Sequence, residues 1–166
     1  MCYLIYISTD SAEELSQHNS ALIRFEKNFG NCTPEVMYLL LYEYPWYVAS
    51  KAGCSCTFRH LSSIELGFAE PVDWYEESSD EIEATRIFYD IASSLILSGK
   101  NIDCIEIWTE TRKNQIKHLK VDLLSIKRDE FRFFENHHFV FSNTQWTVIG
   151  THMPQDGELS TNNFKI

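Results

Sequence analysis

Apolar and polar residues follow two periods along this chain, and the change from one to the other marks its elements. Residues 2–8, CYLIYIS, are aromatic and β-branched and predict a strand, after which STD supplies helix-capping groups. Asp10 and Glu13 stand at capping-box spacing, which predicts a short helix through about His18. ALIRFEK predicts a short strand, and NFGNCTPE, with Asn, Gly and Pro together, a loop. The most hydrophobic run is VMYLLLYEYPWYVAS. Pro45 would remove a ladder hydrogen bond there, so the run is predicted as strands near 36–42 and 46–50, or as one strand bulged at the proline. Gly53 then leads into CSCTFRHL, a further predicted strand. Residues 62–78, SSIELGFAEPVDWYEES, hold no sustained period and predict a long loop.

The strongest helix signal begins at Ser78, which forms a second capping-box pair with Glu81. Asp80, Glu81 and Glu83 complement the positive end of the helix dipole. Ala84, Ile87, Phe88, Ile91, Ala92 and Leu95 recur at intervals of three and four, making one apolar stripe, and Gly99 ends it. In IDCIEIWT, Ile105 and Ile107 alternate with Cys104, Glu106 and Trp108, a strand pattern. HLKVDLLSI and FRFFENHHFVFS predict strands parted by the turn residues KRDE, and QWTVIG a last short one. After Gly150 the chain turns polar. The expected organisation is a single globular domain over 1–150 with a loosely ordered tail at 151–166. Helices are too few to cover both faces of a parallel sheet. The expected fold is α+β, a largely antiparallel mixed sheet with two main helices on one face, an order compatible with a ferredoxin-like core with added strands.

Composition alters this picture in few places. Of 166 residues 44% are apolar and 23% charged, which fits a globular chain rather than a disordered one. The 11 Phe, 8 Tyr and 4 Trp favour pleated, half-buried surfaces and strengthen the sheet reading. No apolar run reaches the roughly 18 residues of a membrane span. MCYLIYISTD lacks a basic leader and Asp10 cuts it short, so no export signal is expected, and the five cysteines are read as reduced thiols of a cytoplasmic protein. A net charge of −10 makes nucleic acid an unlikely partner. The charge is also uneven: nine acids face Arg86 alone between Glu65 and Asp90, whereas seven Lys or Arg face three acids between Thr111 and Arg132. Such polarity can align copies of the chain into a homo-oligomer or steer a charged partner.

Two stretches carry candidate chemistry. In GCSCTFRH, an extended backbone would put Cys54, Cys56, Phe58 and His60 on one face and Ser55, Thr57 and Arg59 on the other. On that geometry Phe58 marks the inner face and both cysteines pack as small apolar groups. Reactive thiols are the alternative, with Arg59 and His60 as the nearest groups able to stabilise a thiolate. A metal site is weaker, since C-x-C has no second pair; further ligands would have to come from Cys2, Cys104 or a histidine, Cys54–Cys56–Cys104 being one such set. Cys2 could act as a terminal nucleophile only with Met1 removed. His137 and His138 are adjacent and, in a strand, face opposite ways, so they do not share one metal.

The second stretch is the acidic and aromatic loop 64–80, where Glu70, Asp73, Trp74, Tyr75, Glu76 and Glu77 suit contact with a basic protein surface better than metal or acid–base work. The chain holds no P-loop, G-x-G-x-x-G, G-x-S-x-G or H-E-x-x-H, and no cofactor is predicted. The leading expectation is therefore a small soluble non-catalytic binding module using loop 64–80. Its rival is a thiol-dependent or metal-dependent enzyme centred on Cys54 and Cys56.

Overall fold

A computed structural model describes residues 2–29, 34–61, 76–109 and 111–141. The predicted strand at QWTVIG, the tail 151–166 and the loop residues Glu70, Asp73, Trp74 and Tyr75 lie outside them.

The strands are β1 (Tyr3–Thr9), β2 (Ile23–Glu26), β3 (Tyr44–Ser50), β4 (His60–Leu61), β5 (Ile102–Trp108), β6 (Lys117–Val121), β7 (Phe133–Phe134) and β8 (His137–Phe141). The helices are α1 (Pro34–Met37) and α2 (Ser79–Leu97). Six strands form one sheet in the order β2-β3-β1-β5-β8-β6, and β4 pairs with β7 in a small second sheet. Every pair in the large sheet is antiparallel except β6 with β8, and β4 with β7 is also parallel. The largely antiparallel, mixed α+β expectation holds. Its finer form does not, because the described residues contain one long helix rather than two. A ferredoxin-like core needs two crossover helices and is not borne out.

α2 forms as its sequence dictates. Ser78 Oγ accepts the Glu81 N–H while the Glu81 carboxylate accepts the Ser78 N–H, a complete capping box. At the other end Gly99 takes φ +80°, its N–H reaching the Ile96 carbonyl and the Lys100 N–H reaching Leu95, which closes the helix in a Schellman turn. Ala84, Phe88, Ala92, Leu95 and Ile96 bury against Ile5, Ile7, Trp46, Val48, Cys104 and the Phe131–Phe141 aromatics. Leu4, Tyr6, Tyr47, Ala49, Ile105 and Ile107 form the opposite face, under Val36, Leu39, Leu40 and Phe29. One face thus lies beneath a long helix and the other beneath a short helix and a loop.

Three local expectations change. Asp10 does not cap a helix at Glu13. Its carboxylate accepts the N–H and side-chain amide of Asn101, and only a 3-10 turn forms at Leu15–His18. The 36–42 run is not a strand, because seven consecutive apolar or aromatic positions hold no period and tertiary contacts decide their shape. Conversely β3 runs unbroken through Pro45: β2 covers only Tyr47–Ser50, so the proline occupies a stretch of β3 with a neighbour on one side alone.

Candidate functional site

The segment predicted as a strand at 53–60 is a chain of turns, with extended structure only from His60. Ser50 is the reason. Its N–H and its hydroxyl both donate to the Cys54 carbonyl, at 2.8 and 2.6 Å, its own carbonyl accepts the Gly53 N–H, and its Oγ accepts the Thr57 N–H. Gly53 at φ +81° allows the reversal, a conformation costly for any residue with a Cβ. Ser55 then enters the large sheet, its Oγ accepting the Ile5 N–H at 2.9 Å and donating to the Val48 carbonyl at 2.7 Å, between two residues that face each other across β1 and β3. The Ser55 N–H donates to the Tyr3 carbonyl and the Tyr3 N–H to Cys56 Sγ at 3.3 Å.

This wiring inverts the expected burial. Ser55 and Arg59, assigned to the outer face, are buried, while Cys54 and Cys56 are only partly so. The thiols do not pack as core residues. They converge on Cys2, and the three sulfurs lie within 4.8 Å of one another, each partly exposed. Cys104 is not part of this group: it is wholly buried under α2, and burial pushes its thiol well above the ordinary value. Burial also opposes ionisation of Cys54, but hydrogen bonds from Cys56, Cys2 and the backbone outweigh it and hold that thiol below its ordinary 9.0. Cys56 goes the other way, pushed by burial and by its bond to Cys54 up to about 12. Of Cys54 and Cys56, Cys54 is the sulfur that carries a negative charge first.

His60 lies beside this group but is already engaged. Its Nε2 is 2.9 Å from the Ser55 carbonyl, which can only accept, so Nε2 carries the hydrogen. Its Nδ1 is 2.9 Å from Glu106 Oε1, and its ring stacks on Tyr3 at 3.9 Å. Tyr3 in turn lies 4.1 Å from the Trp108 ring. Glu106 is fully buried. Burial raises its carboxyl above the ordinary 4.5, His60 offsets part of that, and its Oε2 has no partner. His137, opposite Glu106 in the β5–β8 register, gives Nδ1 to the Glu135 carbonyl and leaves a buried Nε2 without a partner.

Arg59 turns away from the thiols. Its guanidinium binds Glu77 Oε2 at 2.8 and 2.9 Å and the Asp129 carbonyl at 2.6 Å, and Arg132 binds the same carboxylate at 2.6 and 3.0 Å. Burial works against the Glu77 charge, yet Arg132 and Arg59 hold its carboxyl below the ordinary 4.5. Of the proposed contact residues within the described set, Glu77 is thus committed to an internal ion-pair knot, and Glu76 is exposed.

The sequence named Cys54, Cys56 and His60, and admitted Cys2 only as a ligand that a fold could bring in or as a terminal nucleophile with Met1 removed. Tyr3 and Glu106 went unrecognised as neighbours, because each reads as an ordinary strand residue and their contacts with the turn span about 50 positions. No protein-family model matches the chain, no curated protein matches it by sequence, and no solved structure matches its fold. No described helix is long and apolar enough to cross a membrane.

Proposed function

We propose that the protein binds one soft metal ion through the thiolates of Cys2, Cys54 and Cys56. The observation that carries this reading is the convergence of the three sulfurs within 4.8 Å on a partly exposed site. Sulfur ligands select d10 ions such as Zn2+ and Cu+ over the harder Mg2+ and Ca2+. Three protein ligands leave room for a fourth on Zn2+, the pattern of sites that exchange or activate a ligand rather than of closed structural sites. The turn is preorganised by Ser50 and Ser55, and the Tyr3 N–H aimed at Cys56 Sγ favours a charged sulfur there. Metal uptake replaces the thiol protons, Cys54 giving up its proton before Cys56.

Reactive-thiol chemistry at Cys54 is the second reading, favoured by the lowered pKa of that group. The binding-module reading rests on Glu76 and on residues outside the described set, and the engagement of Glu77 by two arginines takes one contact from it.

Purification under reducing, oxygen-free conditions followed by elemental analysis and Co2+ titration tests the proposal. One equivalent of ion and a sulfur-to-cobalt charge-transfer band are expected. Cys2→Ser, Cys54→Ser and Cys56→Ser should each weaken binding by about a hundredfold or more, and Cys104→Ser should leave it unchanged. A protein that retains no ion and gives no such band overturns the metal reading, and rapid alkylation of Cys54 alone would then support thiol chemistry.

A further inference from the structure

On the face of the sheet away from α2, a buried carboxylate is connected through two imidazoles to the solvent side. Asp103 accepts the N–H of Ser8 at 3.0 Å, the Ser8 hydroxyl, the N–H of Leu41 at 2.9 Å and His138 Nε2 at 2.7 Å. His138 Nδ1 lies 2.9 Å from His118 Nδ1. Asp103 and His138 are buried and His118 is half-buried on edge strand β6.

This chain fixes where the hydrogens are. His138 Nε2 faces only a carboxylate oxygen and donates to it. With both rings neutral, His138 Nδ1 is then an acceptor, so His118 Nδ1 donates and His118 Nε2 is left with a lone pair. No described residue bonds that Nε2, and it is not among the buried unpartnered atoms. A carboxylate behind an imidazole holds its tautomer and stabilises the cation that forms when the ring takes up charge, the arrangement by which a histidine is made an effective base or nucleophile. Burial first, and any positive charge on the neighbouring His138, hold His118 below its ordinary 6.5, which keeps it uncharged near neutral pH.

We propose that His118 Nε2 is a nucleophile for uncharged carbonyl electrophiles of the carboxylic ester or anhydride class, with His138 and Asp103 as its positioning residues. The net charge of −10 disfavours anionic phosphoryl donors. Leu41, whose N–H binds the same carboxylate oxygen as His138, exposes 57% of its surface, and Tyr38 exposes 81%, giving apolar area on the clasped segment. In the step, Nε2 bonds to the carbonyl carbon, the bond from that carbon to the leaving oxygen breaks, and the leaving group departs as its oxyanion. The Nδ1 proton of His118 passes to His138, whose cation is held by Asp103. Water then hydrolyses the acyl-imidazole and His138 returns the proton. The proposal is independent of the thiol site, which lies on the other face.

Diethyl pyrocarbonate is the probe, with each modified histidine followed by peptide mass spectrometry on the folded full chain. His18, whose side chain is 37% exposed and pairs with Glu13, is the reference. His118 should be carbethoxylated about tenfold faster than His18 or more, the low end of what a positioned proton acceptor supplies. His138→Gln keeps a donor to Asp103 and loses the acceptor for His118, so it should bring His118 down to the His18 rate while the fold persists. Equal rates in the unaltered protein, or an unchanged His118 rate in the variant, would overturn the proposal. Should the variant not fold, nitrogen-15 NMR of the unaltered protein decides: hydrogen on His118 Nδ1 is expected, and hydrogen on Nε2 refutes it.

Discussion

Asp103 and Glu106 stand three residues apart on β5, both with no solvent exposure, and they point to opposite faces of the sheet. Asp103 receives four hydrogen bonds and serves as a clasp, tying β1, the 41–42 loop and β8 together. Glu106 makes a single hydrogen bond, with His60 Nδ1, and keeps an unpartnered oxygen. Burial alone therefore does not decide what a carboxylate does in this protein. The number of donors aimed at it does, since each charge-assisted bond offsets part of the cost of removing the group from water.

Asp103→Ala should produce the largest loss in this comparison. It strands two backbone N–H groups, the Ser8 hydroxyl and His138, and about 3–5 kcal/mol of stability should disappear in urea unfolding. A loss no larger than that of an average surface substitution would break the idea of a clasp. Ser8→Ala sharpens it, because the Ser8 hydroxyl both donates to Asp103 and accepts the Tyr42 N–H; its removal should cost about 1–2 kcal/mol by the same measurement. Glu106→Gln should stay within about 1 kcal/mol, since a glutamine amide can still donate to His60 and the second atom had no partner to lose. If Glu106→Gln cost as much as Asp103→Ala, donor number would not be the controlling variable.

The smallest effect is one of slope rather than size. The carboxyl of Glu106 is raised above 4.5, so between that value and its folded pKa the unfolded chain releases a proton that the folded chain keeps. Stability should fall as pH rises through that window, and Glu106→Gln should remove the slope. Glu77 has the opposite sign. Its folded pKa lies below 4.5, so its contribution is complete above 4.5 and is lost as pH falls through the folded value. Unfolding of the unaltered protein, Glu77→Gln and Glu106→Gln measured from pH 3 to 8 separates the two, and changes of slope of one sign in both variants, relative to the unaltered protein, would contradict the assigned shifts.

Much of the fold was legible in the chain. The capping pair Ser78–Glu81, the three-and-four stripe through Leu95 and the stop at Gly99 place α2 within a residue or two of where it lies, and β1, β2 and β5 follow their aromatic or β-branched runs. FRFFENHHFVFS was legible only in part. Asn136 takes φ +59° and breaks it into β7 and β8, which join different sheets. The opposite facing of His137 and His138 followed from strand periodicity, and the register bears it out: one stands opposite Glu106, the other opposite Ile105. At the thiol turn the same period-two argument failed, because Ser50 and Ser55 hydroxyls and Gly53 offered the backbone a different set of hydrogen bonds.

The sequence by itself determined the elements whose cause is short-ranged: a helix cap, an apolar stripe, alternation along a strand, a glycine that ends a helix. Only the tertiary structure decided that Cys2 meets Cys54 and Cys56, that Arg59 is spent on Glu77, and that Asp103 gathers four donors where Glu106 makes a single bond with His60. Local periodicity acts over three or four residues, whereas each of these contacts is fixed by strand order and register, which pattern alone leaves open.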